Sequence, residues 1–557
     1  MILQSLVKRY EDTAAVLPGW QKRNVSYALI INQDGILLNI LPLGGEKGCL
    51  ALTLPSKTRG RSGPNAYKTA YFLCDDGNYM LGFDPKKFES SKKLHSSLLS
   101  GVETPSAQAI IAYFNNGAPS LPHTFDPKNI KTAKYVFQFN GKRIDYEDCG
   151  MEIRFAWENK ESQPDKEKLC LISGEKDAIL QKHDKVRLRG VKASEQALIS
   201  MNKQTSFRSY GTKPNDPPAQ IGAKAVFAYT TELNALLGND KNHQSIGGDT
   251  LVYWADGAES DSEELVFSWT MNPTEDNESQ LDTIIPTILR GQLPDITNIN
   301  WQIPFYILCL SPNAARISIR FFHVSSFGDT INKIADHINN LEIYSSRKEN
   351  LKYIPYCCIL SETTIKGSKS DAHPLLGGQL INSIISGARY PALLFNAILL
   401  RIRAGGDINR TKAAIIKAFL IRNYYESEVT TVALNQNSNN KPYVLGRLFS
   451  VLQQLQNSTS SGSLNATIRD RYFASACANP GSVFPTLLKL SMHHAAKSDY
   501  AIRYEKLKGE LLGKLDCDLP FPATLSLDDQ GRFIIGYYHQ TQDFFTPKKD
   551  KEEREEA

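Results

Sequence analysis

Apolar and polar residues alternate through much of the first third of the chain, a period typical of half-buried strands. Two turn signals, NQDG at 32–35 and DG at 76–77, each lie between such alternating runs. The sequence therefore predicts two β-hairpins in this region. Their flanking runs are 25–31 with 36–41, and 71–73 with 79–81.

Further elements follow from the same criteria. Met1 begins a run that predicts a helix, and a second helix is predicted over 105–114. Alternating or continuous apolar runs predict additional strands. These runs are 134–139, 151–157, 305–310, 316–321 and 353–360.

From about Thr330 onward the apolar residues recur at helical spacing, including Ile415 with Phe419 and Leu448 with Leu452. A polar, turn-rich stretch at 435–440 is the best candidate for a linker. The roughly four helical segments after it predict a helical bundle. Strands first and helices afterwards indicate the α+β fold class.

A chain of 557 residues is too long for one hydrophobic core, so several domains are expected. We predict a strand-rich N-terminal body with basic loops over 1–245. The next part, 246–434, holds an acidic insert, strands and basic helices. The helical bundle occupies 435–546, and the charged tail at 547–557 is predicted to be disordered.

The net charge is only +5, so local clusters rather than overall basicity must carry any affinity for an acidic partner. Nine cysteines without a CxxC pair favour reduced thiols over a zinc ribbon or a disulfide framework. No signal peptide or long apolar run is present, which predicts a cytoplasmic protein without a membrane span. No cofactor and no metal are predicted.

Residues 249–282 carry ten acidic side chains and neither Lys nor Arg. Such a run is typical of a solvated and partly mobile surface segment. An acidic face that repels or mimics nucleic acid is the alternative.

Three basic clusters are candidates for nucleic-acid contact. The first, at 57–68, combines four cations with glycines that let a ligand approach the backbone and has no acidic residue. The second, at 182–224, has nine cations against three acids, with amide and aromatic side chains between them. The third, at 389–422, lies in a helical region and has one opposing acid, Asp407.

Cations in these clusters suit phosphates, amides suit base edges, and an aromatic ring suits stacking on an unpaired base. Core packing is the alternative for each ring. The predicted DNA-binding residues are Lys57, Arg59, Arg61, Asn65, Tyr67, Lys68, Asn202, Lys203, Gln204, Arg208, Tyr210, Lys213, Arg401, Arg403 and Arg410.

No Walker loop, HExxH or GxSxG is present, which favours a protein without catalytic residues. His183 lies beside Asp184 in a basic run and is predicted to be on the surface. The neighbours His493 and His494 cannot share one helix face, so helix surface plus core is predicted for them. His493 and His539 remain possible sites for the alternative function, a nuclease or RNA-processing enzyme.

Several ordered motifs resemble the large subunit of the type I-C CRISPR Cascade, a surveillance complex guided by CRISPR RNA (crRNA). The most specific motifs are SFRSYGTKPN at 206–215 and YTTELN at 229–234. The resemblance extends over nearly the whole chain. The other motifs are MILQ at 1–4, LPGW at 17–20, FLCDD at 72–76, WA at 254–255, DQGRF at 529–533 and GYYHQ at 536–540.

The resemblance implies a non-catalytic subunit seated at the 5′ handle end of the crRNA. It implies recognition of the protospacer-adjacent motif (PAM) in duplex DNA, help in opening the duplex, and stabilisation of the R-loop. The implied partners are crRNA, target duplex DNA and its displaced strand, the backbone, handle-binding and small subunits, and a helicase-nuclease. The C-terminal bundle is expected to resemble the small subunit and to hold the displaced strand.

In this family the small subunit can arise by internal translation. Here Met492 is the single methionine after Met271, so a start near 429–434 needs a non-AUG codon. A general RNA-binding scaffold is a further alternative for the whole chain.

Overall fold

The computed structural model divides the chain into two compact units, Met1–Lys185 with Ile199–Leu233, and Val186–Leu198 with Asn234–Ala557. The finer division into four parts stays a prediction. The described residues are 2–13, 19–44, 48–56, 61, 66–121, 130–161, 167–180, 183–191, 197–199, 219–257, 261–296, 299–313, 316–349, 351–365, 373, 375–405, 407–459 and 467–547. The charged tail therefore lies outside them beyond residue 547.

The first unit has a mixed sheet in the order β3-β2-β6-β5, with β7 paired to β6. Strands β2 and β6 are parallel, and the other pairs are antiparallel. The strands are β1 (Trp20–Val25), β2 (Tyr27–Ile31), β3 (Leu37–Pro42), β4 (Leu50–Pro55), β5 (Cys74–Asp76), β6 (Lys134–Phe139), β7 (Lys142–Arg143), β8 (Glu167–Leu169) and β9 (Lys176–Ala178). The helices are α1 (Ile2–Thr13), α2 (Gly77–Met80), α3 (Pro85–Leu99), α4 (Pro105–Asn115), α5 (Met151–Glu161) and the start of α6 (Ala223–Gly238).

The first predicted hairpin is confirmed by the antiparallel pairing of β2 with β3. Asn32 closes its turn by accepting a hydrogen bond from the Ile36 backbone N–H at 2.8 Å. Gly35 has φ +74°, and a Cβ there would lie 2.2 Å from the Tyr113 backbone nitrogen. The turn therefore requires glycine for both its conformation and its packing.

The second predicted hairpin is wrong. Asp76 ends β5, which pairs with β6, and its carboxylate accepts the Asn78 N–H at the start of the short helix α2. The sequence Asp-Gly suits a helix N-terminus as well as a turn, because the Asp side chain can cap a free N–H.

The strands predicted at 151–157 and 353–360 are also wrong. The first segment is α5, in which Ile153 and Trp157 are buried four residues apart. The second contains α10 (Tyr356–Ser361), with Tyr356 and Ile359 buried. Short apolar runs fit both periods, and here the apolar residues pack on one helical face.

The second unit contains an antiparallel sheet in the order β10-β11-β12-β13, followed by helices. Its strands are β10 (His243–Ile246), β11 (Asp249–Ala255), β12 (Pro304–Asn313) and β13 (Arg316–Ser326). Its other helices are α7 (Asp261–Met271), α8 (Glu278–Leu289), α9 (Phe327–Leu341), α10, α11 (Leu376–Ser386), α12 (Ala392–Arg403), α13 (Arg410–Tyr424), α14 (Lys441–Asn457), α15 (Ile468–Ala478), α16 (Pro480–Ala495), α17 (Ala501–Gly513) and α18 (Leu527–Phe545). The predicted α+β class is confirmed.

The acidic run at 249–282 is a solvated surface segment only in part, because Asp261, Glu275, Asp276 and Asp282 are exposed whereas other parts of it are buried. Every residue of β11 is buried, and Glu263 and Glu264 are each 2% exposed. Glu263 accepts the Asn300 N–H at 2.7 Å, and Glu264 accepts a hydrogen bond from the Asn242 side-chain amide at 2.5 Å. These two buried carboxylates therefore accept hydrogen bonds from neutral amide groups.

The polar stretch at 435–440 is held both by Glu428, which precedes it, and by helix α14, which follows it. The Glu428 carboxylate accepts hydrogen bonds from Ser438 and from the backbone of Asn439 and Asn440. The Arg447 guanidinium donates to the Asn435 carbonyl at 3.3 Å. These contacts fix the start of α14.

Buried His539 predicts a specific acid sensitivity. Burial, together with the charges of Lys417 and Arg447, lowers its pKa to about 3, whereas the pKa of an unfolded His is about 6.5. Between these values the unfolded chain binds one more proton, so the free energy of unfolding decreases by about 1.4 kcal/mol for each unit by which the pH is lowered. His539→Asn keeps a polar group for the Tyr443 hydroxyl, 2.9 Å from Nδ1 of the wild-type ring. We expect urea unfolding at several pH values to show that the free energy of unfolding depends less on pH in the variant, by the equivalent of about one bound proton. The same pH dependence in variant and wild type would contradict the prediction.

Candidate nucleic-acid interface

The first basic cluster is partly described. Lys57, Arg59 and Asn65 lie outside the described residues, whereas Arg61, Tyr67 and Lys68 lie within them. Tyr67 and Lys68 belong to a 3₁₀ turn, Ala66–Lys68, which packs against α3. Lys68 is exposed and Tyr67 is half-buried.

Arg61 is held inside the protein. Its three guanidinium nitrogens donate to Asp75, to Asp76 at 3.2 Å and to the Thr69 carbonyl at 2.7 Å. Its Cζ lies 3.9 Å from the ring centroid of Tyr71 and 3.7 Å from that of Tyr79. Burial raises the pKa of the Asp75 carboxyl, and the hydrogen bond from Arg61 opposes that rise. The predicted phosphate contact by Arg61 does not fit this arrangement, because the protein itself uses the guanidinium.

Lysines of α3 extend this basic surface and were missed from the sequence. Lys86 is exposed at the helix start, and the Lys87 ammonium lies 5.8 Å from the Tyr79 ring centroid. The Tyr79 hydroxyl donates to the Ala66 carbonyl at 2.9 Å, which places Lys87 beside the 3₁₀ turn. Asp84 caps the helix and lies 3.5 Å from the Lys87 ammonium. We call Tyr67, Lys68, Lys86 and Lys87 the N-terminal basic site.

A sequence signal for these lysines exists. Asp84 followed by Pro85 is a typical helix start, because the carboxylate caps free N–H groups and proline suits the first turn. The lysines that follow therefore lie in the first turn of a predictable helix.

Most of the second cluster lies outside the described residues. Asn202, Lys203, Gln204, Arg208, Tyr210 and Lys213 are among these. Within the described part, Arg187 and Arg189 are exposed while Val186 and Leu188 between and beside them are buried. The two buried apolar residues hold the segment in place, and Arg187 and Arg189 are exposed to solvent.

Three side chains of the YTTELN sequence at 229–234 make polar contacts with residues distant in the sequence. In the first unit, the Tyr229 hydroxyl lies 2.7 Å from His183 Nδ1, and Glu232 pairs with Arg9 at 3.0 Å. In the second unit, the Asn234 amide oxygen accepts the Arg187 backbone N–H at 2.7 Å. The prediction that His183 lies on the surface is wrong, because His183 is buried where it contacts Tyr229.

In the third cluster Arg389 is exposed, but the cations of α13 are largely used inside the protein. Arg410 donates to the Leu351 carbonyl at 2.8 Å, and buried Lys412 pairs with Glu362 at 3.2 Å. Buried Lys417 donates to the Asn340 carbonyl, and burial lowers its pKa to about 8. Helix α13 therefore does not present the solvated basic face that its composition suggested.

Arg401 and Arg403, at the end of α12, are half-buried. Arg410 is equally half-buried, but its guanidinium donates to the Leu351 and Lys352 carbonyls. The proposed role of Arg401 and Arg403 as phosphate contacts stays a prediction.

The histidines considered for the alternative enzymatic function do not form an active site within the described residues. His539 is buried against Tyr443, whereas His493 is exposed and His494 half-buried on α16. Among the described residues, no group of three or more His, Cys, Asp or Glu side chains is arranged to hold a metal ion. None of the described helices combines the length and apolarity needed to span a bilayer.

Comparison with known proteins gives one family. A family model described as "CRISPR-associated protein (Cas_Csd1)" matches residues 4–545. No curated protein matches the chain.

Proposed function

Because the chain belongs to the Csd1 family of CRISPR-associated proteins, the large subunit of type I-C Cascade, we propose that it recognises the PAM in duplex DNA. In this proposal it also helps to unwind the duplex and stabilises the R-loop between crRNA and target DNA. The assembled complex then recruits a helicase-nuclease. The subunit itself contributes no catalytic residue and acts in the cytoplasm.

The N-terminal basic site is the observation that carries the proposal. Lys68 and Lys86 are exposed on two elements that pack against each other, and Lys87 lies beside them. A duplex presents closely spaced phosphates, so neighbouring cations on rigid elements can hold its backbone in a fixed register. Half-buried Tyr67 adds an aromatic edge to the same turn.

A division of labour between protein and RNA supports this role. In RNA-guided complexes the guide reads the target by base pairing, and the protein reads a short flanking motif. A few base-edge contacts beside a basic surface are then sufficient. Asn65, Asn202 and Gln204 are our proposed base contacts, and Tyr210 is proposed to stack on an unpaired base.

Further contacts are proposed in the second unit. Exposed Arg187 and Arg189 and half-buried Arg401 and Arg403 are proposed to contact phosphates of the opened duplex. The C-terminal helices are proposed to hold the displaced strand. The partners are crRNA, the backbone, handle-binding and small subunits, and the helicase-nuclease.

Co-purification with the other type I-C subunits tests the function. We expect a complex that contains one discrete RNA derived from the CRISPR repeat, identified by sequencing the bound nucleic acid. The complex alone is expected to leave labelled DNA and RNA intact, in the presence or absence of divalent metal. Cleavage by the complex that is lost in His493→Ala would instead support an enzyme, and heterogeneous cellular RNA would support a general RNA scaffold.

A further inference from the structure

Arg61 differs from its basic neighbours in what its charge contacts. Its side chain is 16% exposed, and the Asp75 carboxylate that it contacts is fully buried. Asp76, its second carboxylate partner, also lies 3.5 Å from the Lys134 ammonium. A guanidinium whose positive charge is already matched by two carboxylates releases little counterion from DNA.

The same network holds both ends of one short segment. Arg61 Nε donates to the Thr69 carbonyl at 2.7 Å, and the Tyr79 hydroxyl donates to the Ala66 carbonyl at 2.9 Å. The Tyr79 ring also lies against the Arg61 guanidinium. Residues 66–69 are therefore fixed at their first and last carbonyls, and the exposed Lys68 lies between these two points.

The Asp75 carboxylate completes the network from inside the protein. Its Oδ2 accepts the Tyr71 backbone N–H at 2.9 Å in addition to the Arg61 hydrogen bond. Asp75 lies on β5, a strand of the central sheet of the first unit. The sheet thus determines the position of the 3₁₀ turn through Arg61.

From this geometry we infer that Arg61 is a positioning residue for DNA recognition. It sets where Tyr67 and Lys68 meet the duplex and does not itself neutralise a phosphate. This inference rests on the proposed function of the N-terminal basic site. A loss of binding alone would not distinguish a positioning residue from a phosphate contact. The two roles differ in how the affinity depends on salt concentration.

The test measures binding of target duplex by the assembled complex over a range of salt concentrations, with Arg61→Gln, Lys68→Ala and wild type in parallel. Lys68→Ala is expected to make the slope of log affinity against log salt shallower by about 0.9. Arg61→Gln is expected to weaken binding at every salt concentration with an unchanged slope, because the flexible Lys68 side chain still reaches its phosphate but from a less ordered turn. The same variant is expected to reduce the preference for a duplex that carries the correct flanking motif. A slope in Arg61→Gln reduced as in Lys68→Ala would overturn the inference.

Two further variants keep the test decisive. Arg61→Lys retains the charge but loses the multiple hydrogen bonds, so it should behave as Arg61→Gln does. Arg61→Gln with Asp75→Asn removes both charges together, which avoids an unpaired buried carboxylate if the single variant fails to fold. The pair variant is expected to show the same unchanged slope. If the wild-type complex shows no preference for a flanking motif, the proposed function fails, which is distinguishable from an altered slope in Arg61→Gln.

Discussion

Gly536→Ala is expected to lower the free energy of unfolding by about 3 kcal/mol, the largest stability effect that we predict. A Cβ at this position in α18 would lie 2.1 Å from the Tyr443 carbonyl oxygen in α14. The opposite helix also approaches closely at a glycine, because a Cβ at Gly446 in α14 would lie 1.9 Å from the Phe533 carbonyl oxygen in α18. Both obstacles are backbone atoms, so the two helices must move apart to accept a methyl group.

Gly509→Ala, in α17, is the matched control. No atom lies within 4 Å of a Cβ added there, and its backbone is helical. Alanine suits a helix interior better than glycine, so a gain of about 0.5–1 kcal/mol is expected. Chemical denaturation of the two variants measures the difference. Equal stabilities would show that α14 and α18 do not cross as closely as the structure indicates.

Replacing Lys68, Lys86 and Lys87 together with Ala is expected to cause the largest loss of DNA binding. We expect roughly tenfold weaker binding of target duplex by the assembled complex, and a log–log salt slope shallower by about 3. The lost affinity should be the same for duplexes with different flanking motifs, because lysines on phosphates carry no sequence information.

A charge-matched control accompanies this variant. Lys142, Lys176 and Lys348 are exposed and lie outside the proposed interface, so their replacement with Ala removes the same net charge. Filter binding or fluorescence anisotropy is expected to show a nearly unchanged slope for the control. An equal loss in both triple variants would assign the effect to total charge rather than to the N-terminal basic site.

Elements with strong local chemistry were predictable from the sequence. The hairpin at 27–42 was found because Asn32 and Gly35 supply a turn that few other residues allow. The long helices α13 and α14 were found from repeated apolar spacing. In each case the deciding interactions lie within a few residues of one another.

Features set by distant partners were not predictable. Lys412 and Lys417 look like solvated helix cations until Glu362 and the Asn340 carbonyl are placed beside them. Glu264 looks like part of an acidic surface until Asn242 is packed against it. Arg61 looked like a phosphate contact because the sequence does not show that Asp75, Tyr71 and Tyr79 surround it.

The most direct measurement for the proposed function compares two duplexes with the same guide-matched target and different flanking bases. The assembled, crRNA-loaded complex is incubated with each, and its dissociation constants are measured at one salt concentration. We predict at least tenfold tighter binding to one flanking motif, since a mismatched base pair in a protein-read site costs about 1–3 kcal/mol. Equal affinity for both duplexes would contradict recognition of a flanking motif by this subunit.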